Sequence, residues 1–522
     1  IAIRGDKIIA LGTAEDIRKY IGESTEVIDL EGKLAVPGLI DSHAHFTGIG
    51  QAKLGLDLMN VDNWLEIVAL VKEAVEKAKP GEWIIGRGWH QEKWDKAPEP
   101  NVSGLPYHDG LSAVSPNNPV MLRHASGHAS FANAKAMELA GITANTKPPS
   151  GGEIVKDSDG KIVGVFRETA QGLIRSPYNE YVDQRTDEEI NEESVKVLEL
   201  SVEDCLSKGI TTVHDPGTSF ESIDFYKRMA DEGKLRVRLY VMIRESNERL
   251  NEKLKDYKIL GYAENKITVR SIKRTLDGAL GPHGAWLLEP YKSLPTSTGL
   301  NTYPVEDLKE TAKIAILNGF QLNVHCIGDR ANQEFLNVCE ETFSAFPDKS
   351  DLRWRDEHTQ HLHPSDIPRF AELKVIPSMQ GIHCTSDAPY VLKRLGEQRA
   401  EEGAYLWRKL MDTGVTICNG TDAPVEDVDP LPSFFASVSR KLKDGTLFYP
   451  DQKMTRLEAL KSYTIYGAYA AFEEDIKGSL TPGKLADITV LSKDIMTIPE
   501  DEILTTKVVC TIVGGKVEYK AQ

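Results

Sequence analysis

The stretch LAVPGLIDSHAHF occupies residues 34–46, where a short apolar run leads into Asp41, His43 and His45. Side chains two residues apart on a strand share a face, so we expect both imidazoles to point the same way, with Asp41 behind them. Paired imidazoles suit zinc or another borderline divalent ion better than calcium, which prefers oxygen ligands. The stretch predicts a metal site at the end of a buried strand, although two solvated histidines would give the same pattern.

The composition argues against two classes of partner. The chain has 522 residues, of which 40% are hydrophobic and 27% charged, as is typical of a globular protein of two or three domains. Its formal net charge of -17 is unfavourable for binding a polyanion, so we expect no nucleic-acid partner. No apolar stretch approaches the length of a membrane span, so we expect no membrane partner.

The cysteine pattern favours a cytoplasmic protein. Cysteines stand at positions 205, 326, 339, 384, 418 and 510, without a CxxC motif. In a chain of this length they are interpreted as reduced core residues rather than a disulfide framework. The chain begins at Ile1, which leaves open whether a signal peptide was removed. We expect a small-molecule substrate, and a homodimer is one open alternative for the assembly.

Both ends of the chain predict a small β-sandwich. Short β-branched runs separated by glycine turns occur in residues 1–36 and again in residues 475–522. We expect these two segments to form one composite domain that brackets residues 37–474. Two unrelated chain ends would be the alternative.

An insertion is predicted between the opening stretch and the regular part of the chain, over about residues 50–205. Residues 61–79 have apolar side chains at helical spacing, residues 82–94 resemble a strand and an aromatic-rich loop, and residues 151–166 predict a hairpin. The tryptophans of this region would make part of a pocket apolar.

The remainder of the chain alternates strands with helices. The predicted strands cover residues 209–215, 235–243, 267–278, 320–329, 352–360, 374–380 and 414–422. Helices fit between them, for instance in residues 219–233, 305–319 and 331–346. With the opening strand this makes eight, which predicts an α/β fold of the (β/α)8 TIM-barrel type with its active site at the carboxyl ends of the strands.

Candidate metal ligands fall at these strand ends. They are His43 and His45 on the first strand, Lys273 on the fourth, His325 on the fifth, His358 on the sixth and Asp422 on the eighth. Any one of them would be unremarkable as a core or surface side chain, but together they indicate one site.

The ligand set permits one ion or two. An unmodified Lys273 would repel cations, so a two-ion site needs this lysine carbamylated by carbon dioxide to act as a bridging carboxylate. A divalent ion, most plausibly zinc, would make water nucleophilic at neutral pH. Asp422 is placed to take a proton from that water and to pass it to a leaving nitrogen.

Several motifs resemble those of a known family. PGLIDSHAHF, NGTDAP and GSLTPGKLADITVL are similar to segments of the amidohydrolase superfamily. GRGWHQEKW, SGHASFANAKAMELAGI, IKRTLDGALG and DEHTQHLHPSDIPRFAELKVIPSMQ resemble amidohydrolase family 3, the YtcJ-like branch that includes N-substituted formamide deformylases. The resemblance spans nearly the whole chain and implies the insertion as a family feature.

The resemblance implies roles for particular residues. It makes His43, His45, His325 and His358 metal ligands, Lys273 a carbamylated bridge and Asp422 both ligand and proton shuttle. Residues that match motifs near the pocket, and that we expect to contact substrate, are Trp89, His128, His214 and His383, with Asn133 also drawn to attention. Glu168 is a rival acidic ligand if Lys273 is unmodified. Pro282-His283-Gly284 departs from the family pattern and puts the substrate in doubt.

The leading hypothesis is a metal-dependent hydrolase of a C–N bond, of the amide, N-acyl or N-formyl type, with an apolar substituent on the substrate. Deamination or ring opening of a heterocycle by the same activated water is the alternative reaction. A metal-binding sensor or regulator without catalysis is the alternative from another class.

Overall fold

The computed structural model describes residues 1–59 and 61–521. Its β-strands are β1 (Ala2–Arg4), β2 (Lys7–Ala10), β3 (Leu34–Pro37), β4 (Leu39–Asp41), β5 (Leu56–Asp57), β6 (Ile84–Trp89), β7 (Asn101–Val102), β8 (Leu105–Pro106), β9 (Val120–His124), β10 (Ala129–Ala132), β11 (Gly152–Lys156), β12 (Ile162–Glu168), β13 (Ile210–Thr218), β14 (Arg238–Ile243), β15 (Ile259–Gly261), β16 (Ile267–Thr275), β17 (Gln321–Cys326), β18 (Arg355–His358), β19 (Ile376–Gln380), β20 (Cys418–Gly420), β21 (Ile488–Leu491), β22 (Val508–Val513) and β23 (Lys516–Lys520).

The α-helices are α1 (Ala14–Arg18), α2 (Phe46–Ala52), α3 (Trp64–Lys77), α4 (Asp109–Val114), α5 (Ala134–Leu139), α6 (Gln171–Val182), α7 (Asp187–Ser207), α8 (Phe220–Asp231), α9 (Asn247–Lys253), α10 (Tyr262–Asn265), α11 (Val305–Asn318), α12 (Asp329–Ala345), α13 (Ile367–Leu373), α14 (Gly381–Leu395), α15 (Glu397–Gly403), α16 (Trp407–Asp412), α17 (Pro430–Ser439), α18 (Arg456–Ser462) and α19 (Ile465–Ala470). Short 3-10 helices cover Gln91–Lys93, Leu254–Tyr257, Pro364–Asp366, Pro450–Gln452 and Glu500–Thr505.

The centre of the protein is a barrel of eight parallel strands. Their order is β4, β13, β14, β16, β17, β18, β19 and β20. Each predicted strand of the alternating region is present, and the helices predicted between them are α8, α11 and α12. The (β/α)8 prediction is therefore confirmed. The carboxyl ends of all eight strands meet at one mouth.

The first and last strands meet through a polar seam. The Ser42 amide donates to the Asn419 carbonyl at 3.0 Å. The buried Asp41 carboxylate accepts from the Thr421 amide at 3.1 Å, from the Thr421 hydroxyl at 2.5 Å and from the His43 amide at 3.0 Å. This side chain joins the two ends of the barrel sheet and holds the segment after β4 against the segment after β20.

The opening stretch belongs to two sheets. β3 pairs with β21 in the sandwich, whereas β4 pairs with β13 in the barrel. Gly38 separates them, and a Cβ at this position would overlap the Thr211 side chain. We expected His43 and His45 to share a face at the end of the opening strand, but β4 ends at Asp41 and both histidines lie beyond it.

The sandwich contains strands from both termini, as predicted. Its four-stranded sheet has the order β23, β22, β21 and β3, and the hairpin β1–β2 lies beside it through a bridge between Lys7 and Leu485. Arg238 of the barrel forms a buried two-fold ion pair with Asp487, with N–O distances of 2.8 and 2.9 Å. The boundaries at residues 36 and 475 stay predictions for independent folding units.

The insertion has its own sheet, with the order β11, β12, β10, β9, β6 and β5. Helix α3 and the β11–β12 hairpin lie where the sequence predicted them. The buried residues of the insertion form two clusters that run from Leu58 to Ile174. Helix α7, which we assigned to the insertion, instead packs in the barrel core through Leu198, Val202 and Leu206.

Within residues 1–59 and 61–521, none of the helices is long and apolar enough to cross a membrane. The cysteines are free and buried.

The seam gives a test of barrel closure. A Cβ on Gly420 would lie 2.5 Å from Oδ1 of Asp41 and 2.7 Å from the His43 nitrogen. We expect Gly420→Ala to lower the free energy of unfolding by about 1–3 kcal/mol, because the added methyl group would overpack the seam. Urea unfolding followed by circular dichroism measures the change.

Gly172→Ala is the matched control, since Gly172 lies in helix α6 and a Cβ there meets no atom within 4 Å. Alanine favours the helix at this position, so stability should stay the same or rise. Equal stability of both variants would show that the seam tolerates an added methyl group.

Candidate metal centre and active site

The predicted ligands line one cavity at the mouth of the barrel. Its volume is about 1420 Å³, and the insertion forms one wall. The lining includes all six predicted metal residues, namely His43, His45, Lys273, His325, His358 and Asp422. It also includes His128, Glu168 and His383. The structure therefore brings together residues that lie far apart in the chain, and their roles as ligands stay predictions.

Asp422 lies at the centre of a first group of donors. Its Oδ1 is 3.4 Å from Nε2 of His45 and 3.7 Å from Nε2 of His43. One ligand atom from each of the three residues lies within 4.8 Å of the other two. The histidines converge although they follow β4, because His45 begins helix α2 and His43 is held by the seam.

A second group shares Asp422. His358, His383 and Asp422 also offer ligand atoms that lie within 4.8 Å of one another. His358 Nδ1 is 4.0 Å from Asp422 Oδ2, and the rings of His358 and His383 are stacked with centroids 6.4 Å apart. His383, predicted to contact substrate, thus lies among the candidate metal ligands.

His325 and Lys273 lie deeper in the barrel. The His325 ring centroid is 4.3 Å from that of His358, and its Nε2 is buried without a hydrogen-bond partner in the described part of the chain. Lys273 is buried, and this burial lowers the pKa of its amine to about 8, although Glu357 opposes the shift. Neither belongs to the two groups around Asp422.

Glu357 orients the His43 ring. Its Oε2 lies 2.5 Å from Nδ1 of His43, and Arg355 lies 2.8 Å from its other oxygen. Burial would raise the pKa of Glu357, but Arg355 and His43 hold it well below its ordinary value. The ionised carboxylate accepts a hydrogen bond from Nδ1–H, which leaves a lone pair on Nε2 of His43 facing Asp422.

A similar contact fixes His358. Gln380 donates to the Ser378 carbonyl, so its Oε1 faces His358 and accepts from Nδ1 at 2.8 Å. His358 follows Glu357 and would point to the opposite face in a regular strand. Its φ of 82° turns the backbone, so both side chains lie near the His43 ring.

Asp422 is an ionised carboxylate. Burial would raise its pKa, but the neighbouring His45, His358 and His43 lower it well below the ordinary value. Its φ is 58°, a left-handed conformation that is uncommon outside glycine. Oδ1 is buried without a hydrogen-bond partner among the described residues.

The insertion contributes a His128–Glu168 pair. His128 Nδ1 lies 2.8 Å from Oε2 of Glu168, and its ring centroid is 5.2 Å from that of His325. Although burial would lower the pKa of His128, Glu168 raises it above the ordinary value. Gly278 and Gly284 leave room for the Glu168 carboxylate, since a Cβ on either would overlap Oε1.

Trp89 and His214 are corrections to the predicted substrate contacts, because both are fully buried and neither lines the cavity. A β-bulge between Arg87 and Trp89 turns the Trp89 ring into the insertion core, where its Nε1 donates to Leu122. His214 accepts from Arg355 at 2.9 Å inside the barrel.

The prediction that tryptophans of the insertion make part of the pocket apolar is wrong for Trp89 and Trp94. Trp94 and Phe131 pack with Trp89 in the insertion core, whereas Trp83 lines the cavity. Asn133 caps helix α5, with its Oδ1 accepting from the Ala136 amide.

The donor set fits a divalent cation. His43 Nε2 and Asp422 Oδ1 both carry lone pairs, and two acceptors cannot hydrogen-bond each other. Burial, helped by the charge of Lys273, lowers the pKa of His43 to about 4, so the ring is neutral at pH 7. Neutral imidazoles around a carboxylate are the ligands that zinc prefers.

The sequence reasoning missed Glu357, Arg355 and Gln380. Glu357 stands beside a predicted ligand, in the segment DEH, but a buried carboxylate could not be distinguished there from a solvated one. Asp277 was also missed: its carboxylate accepts from the amides of Ile327 and Gly328, at 3.0 and 2.8 Å, and lies 3.5 Å from His325.

The chain is similar to other proteins and to solved structures along almost its whole length. It is 31% identical to the YtcJ protein of Bacillus subtilis over 96% of this chain and 92% of that one. It is 28% identical to the N-substituted formamide deformylase of Arthrobacter pascens over 100% and 94%. The crystal structure of an uncharacterised metal-dependent hydrolase of Pyrococcus horikoshii superposes with a TM-score of 0.73 at 27% identity, covering 96% and 94%.

The match to a family model is equally extensive. The model described as the amidohydrolase family aligns with residues 26–519, which include the sandwich, the barrel and the insertion. The similarity thus covers the seam, the histidine cluster and Asp422 together. By this match and by its barrel with converging histidines, the chain belongs to the amidohydrolase family.

Proposed function

We propose that the protein hydrolyses a C–N bond of the amide, N-acyl or N-formyl type in a small molecule. The observation that carries the proposal is the convergence of the imidazoles of His43, His45, His358 and His383 on the ionised Asp422, whose Oδ1 is buried and free of hydrogen bonds in the described part of the chain. The deformylase of Arthrobacter pascens, to which the chain is similar, supports the choice of bond.

The metal would be held by His43, His45, His325, His358 and Asp422, with His383 as a further donor. A bound zinc ion would make water nucleophilic near neutral pH and would polarise a carbonyl group. Glu357 and Gln380 keep the lone pairs of His43 and His358 directed at the site. The barrel wall and the insertion enclose the reacting groups.

Asp422 moves the proton. Water adds to the carbonyl carbon, and its proton passes to Asp422 Oδ1, which has no competing donor. The C–N bond then breaks, and Asp422 returns the proton to the leaving nitrogen, so the products are an amine and an acid. His128, held by Glu168, faces the same cavity and is placed to donate to the substrate.

Lys273 would become a bridging ligand in a two-ion site. Its neutral amine adds to carbon dioxide, which forms an N–C bond and releases one proton to solvent. The side chain then carries a negative charge among the histidines. Glu168, the rival ligand, is bound to His128 and belongs to neither group around Asp422.

Amine release tests the proposed reaction. Enzyme loaded with zinc or manganese is expected to release amine from members of a panel of N-formyl and N-acyl amines, and a chelator should stop release. Asp422→Asn should lower turnover by about 10²–10⁴-fold, because proton transfer is lost. The exposed Asp412→Asn should leave turnover unchanged.

Elemental analysis accompanies the assay. If every amide stays intact while metal is bound, the proposed reaction is wrong. Release of ammonia from heterocycles would instead favour deamination, and equal activity of Asp422→Asn would remove Asp422 from the mechanism.

Glu357 gives a prediction about metal affinity. Glu357→Gln should weaken metal binding by about 10–100-fold, because the neutral amide accepts a weaker hydrogen bond from His43 Nδ1 and no longer raises the basicity of the ring. Titration of metal-free protein with zinc measures the effect. Glu153→Gln is the control, since Glu153 also pairs with an arginine, Arg167, but lies outside the cavity. Similar zinc affinity in all three proteins would contradict the orienting role.

Lys273 gives a prediction about covalent modification. Protein loaded with isotope-labelled bicarbonate and zinc should show one carbamate carbon signal by NMR, and Lys273→Met should lose it. Lys266→Met is the matched control and should keep the signal. Burial lowers the pKa of the Lys266 amine to about 8 as well, yet this amine donates to the Arg236 carbonyl far from the histidines. A signal that survives Lys273→Met would assign the carbamate elsewhere.

A further inference from the structure

Two arginines stand side by side on the insertion wall of the cavity. Arg87 of β6 and Arg123 of β9 are directly opposite in the parallel register. Neighbouring strands lie about 4.8 Å apart, and like charges in this position repel each other. Arg175 of helix α6 also lines the cavity and adds to the positive charge near Arg123.

These side chains form no ion pair within 4.0 Å of a protein carboxylate in residues 1–59 and 61–521. Asp422 acts on Arg87 from a longer distance, since its charge raises the pKa of this arginine. Arg87 donates to the neutral carbonyls of Pro424 and Ala125, at 3.0 and 2.8 Å. The arginines stay unpaired in a chain whose acidic residues outnumber its basic ones by 79 to 62.

Arg123 lines the cavity, and its Nε is buried without a hydrogen-bond partner in the described part of the chain. Burial and the charge of Arg175 lower its pKa to about 10. Burial and the charge of Arg123 lower the pKa of Arg87 to about 9, although Asp422 opposes the shift. Both groups are therefore partly buried cations at pH 7, and removing an unpaired cation from water is unfavourable.

The pair lies next to the reacting groups. A Cβ built on Gly127 would lie 3.6 Å from Nη1 of Arg87 and 3.8 Å from Nη2 of Arg123, so both guanidinium groups lie beside this glycine. Gly127 precedes His128, and Pro424, which binds Arg87, follows Asp422 by two residues. An anion between the arginines would thus be close to a bond held at Asp422.

We propose that Arg87 and Arg123 bind an oxyanion of the substrate, a carboxylate or a phosphate, beside the metal centre. The planar guanidinium matches both groups through paired hydrogen bonds. The inference rests on the proposed function, since it assigns the second end of the same substrate. It replaces the apolar substituent that the aromatic residues of the insertion had suggested.

Calorimetry on Asp422→Asn protein tests binding without turnover. The probes are N-acetylglycine, N-acetyl-2-aminoethyl phosphate and the neutral N-propylacetamide. At least one charged probe should bind about tenfold or more tightly than the neutral one. The preferred probe identifies the carboxylate or the phosphate as the source of the oxyanion.

Arg123→Gln in this background should remove the preference for the charged probe. Arg185→Gln is the control, because Arg185 lines the same cavity but is already paired with Glu193 at 2.7 Å. Without ligand, Arg123→Gln should melt at the same temperature as its parent or higher, since repulsion is relieved and no hydrogen bond is lost.

Equal binding of charged and neutral probes would overturn the proposal. So would a preference that survives Arg123→Gln, because the anion would then bind the metal or another cation. The test is independent of hydrolysis: if the amide panel stays intact, the proposed reaction fails, while the calorimetric result still decides the oxyanion site.

Discussion

The Asp41 seam is the constraint on which the site depends. A barrel of parallel strands must close between its first and last strands, and here a buried carboxylate joins them by accepting from Thr421 and from the His43 amide. Closure places the segment after β4 beside the segment after β20. The two imidazoles and Asp422 meet for this reason, although they are separated by almost the whole barrel sequence.

Buried charged residues then orient the His43 ring. Arg355 contacts Glu357, the Ser42 carbonyl and His214, so one cation links three strands beneath the histidines. Glu357 in turn holds His43. In a low-dielectric interior such a network is favourable only when its partners are satisfied. Among the described residues, His325 Nε2 and Asp422 Oδ1 have no hydrogen-bond partner, and both residues line the cavity.

The insertion supplies the other wall of the cavity. Its sheet brings Arg87 and Arg123 to the cavity and its loop brings His128 with Glu168. The bulge at Gly88 places the side chains on its two sides in different environments. Arg87 faces the cavity, whereas Trp89 enters the core. In a regular strand, where successive side chains alternate between the two faces of the sheet, Arg87 and Trp89 would lie on the same face.

The sequence alone determined the eight strands, the convergence of six candidate ligands at one mouth, and membership of a family with this fold. The first two conclusions follow from local periodicity and from the rule that parallel strands of a barrel share their carboxyl ends, and the third follows from motifs that resemble those of the family. Only the tertiary structure decided that β4 ends at Asp41, that Glu357 holds His43 and that Arg87 and Arg123 line the insertion wall while Trp89 and Trp94 enter the insertion core. Burial and side-chain direction at these positions depend on bulges and on segments distant in the chain, which a local pattern does not encode.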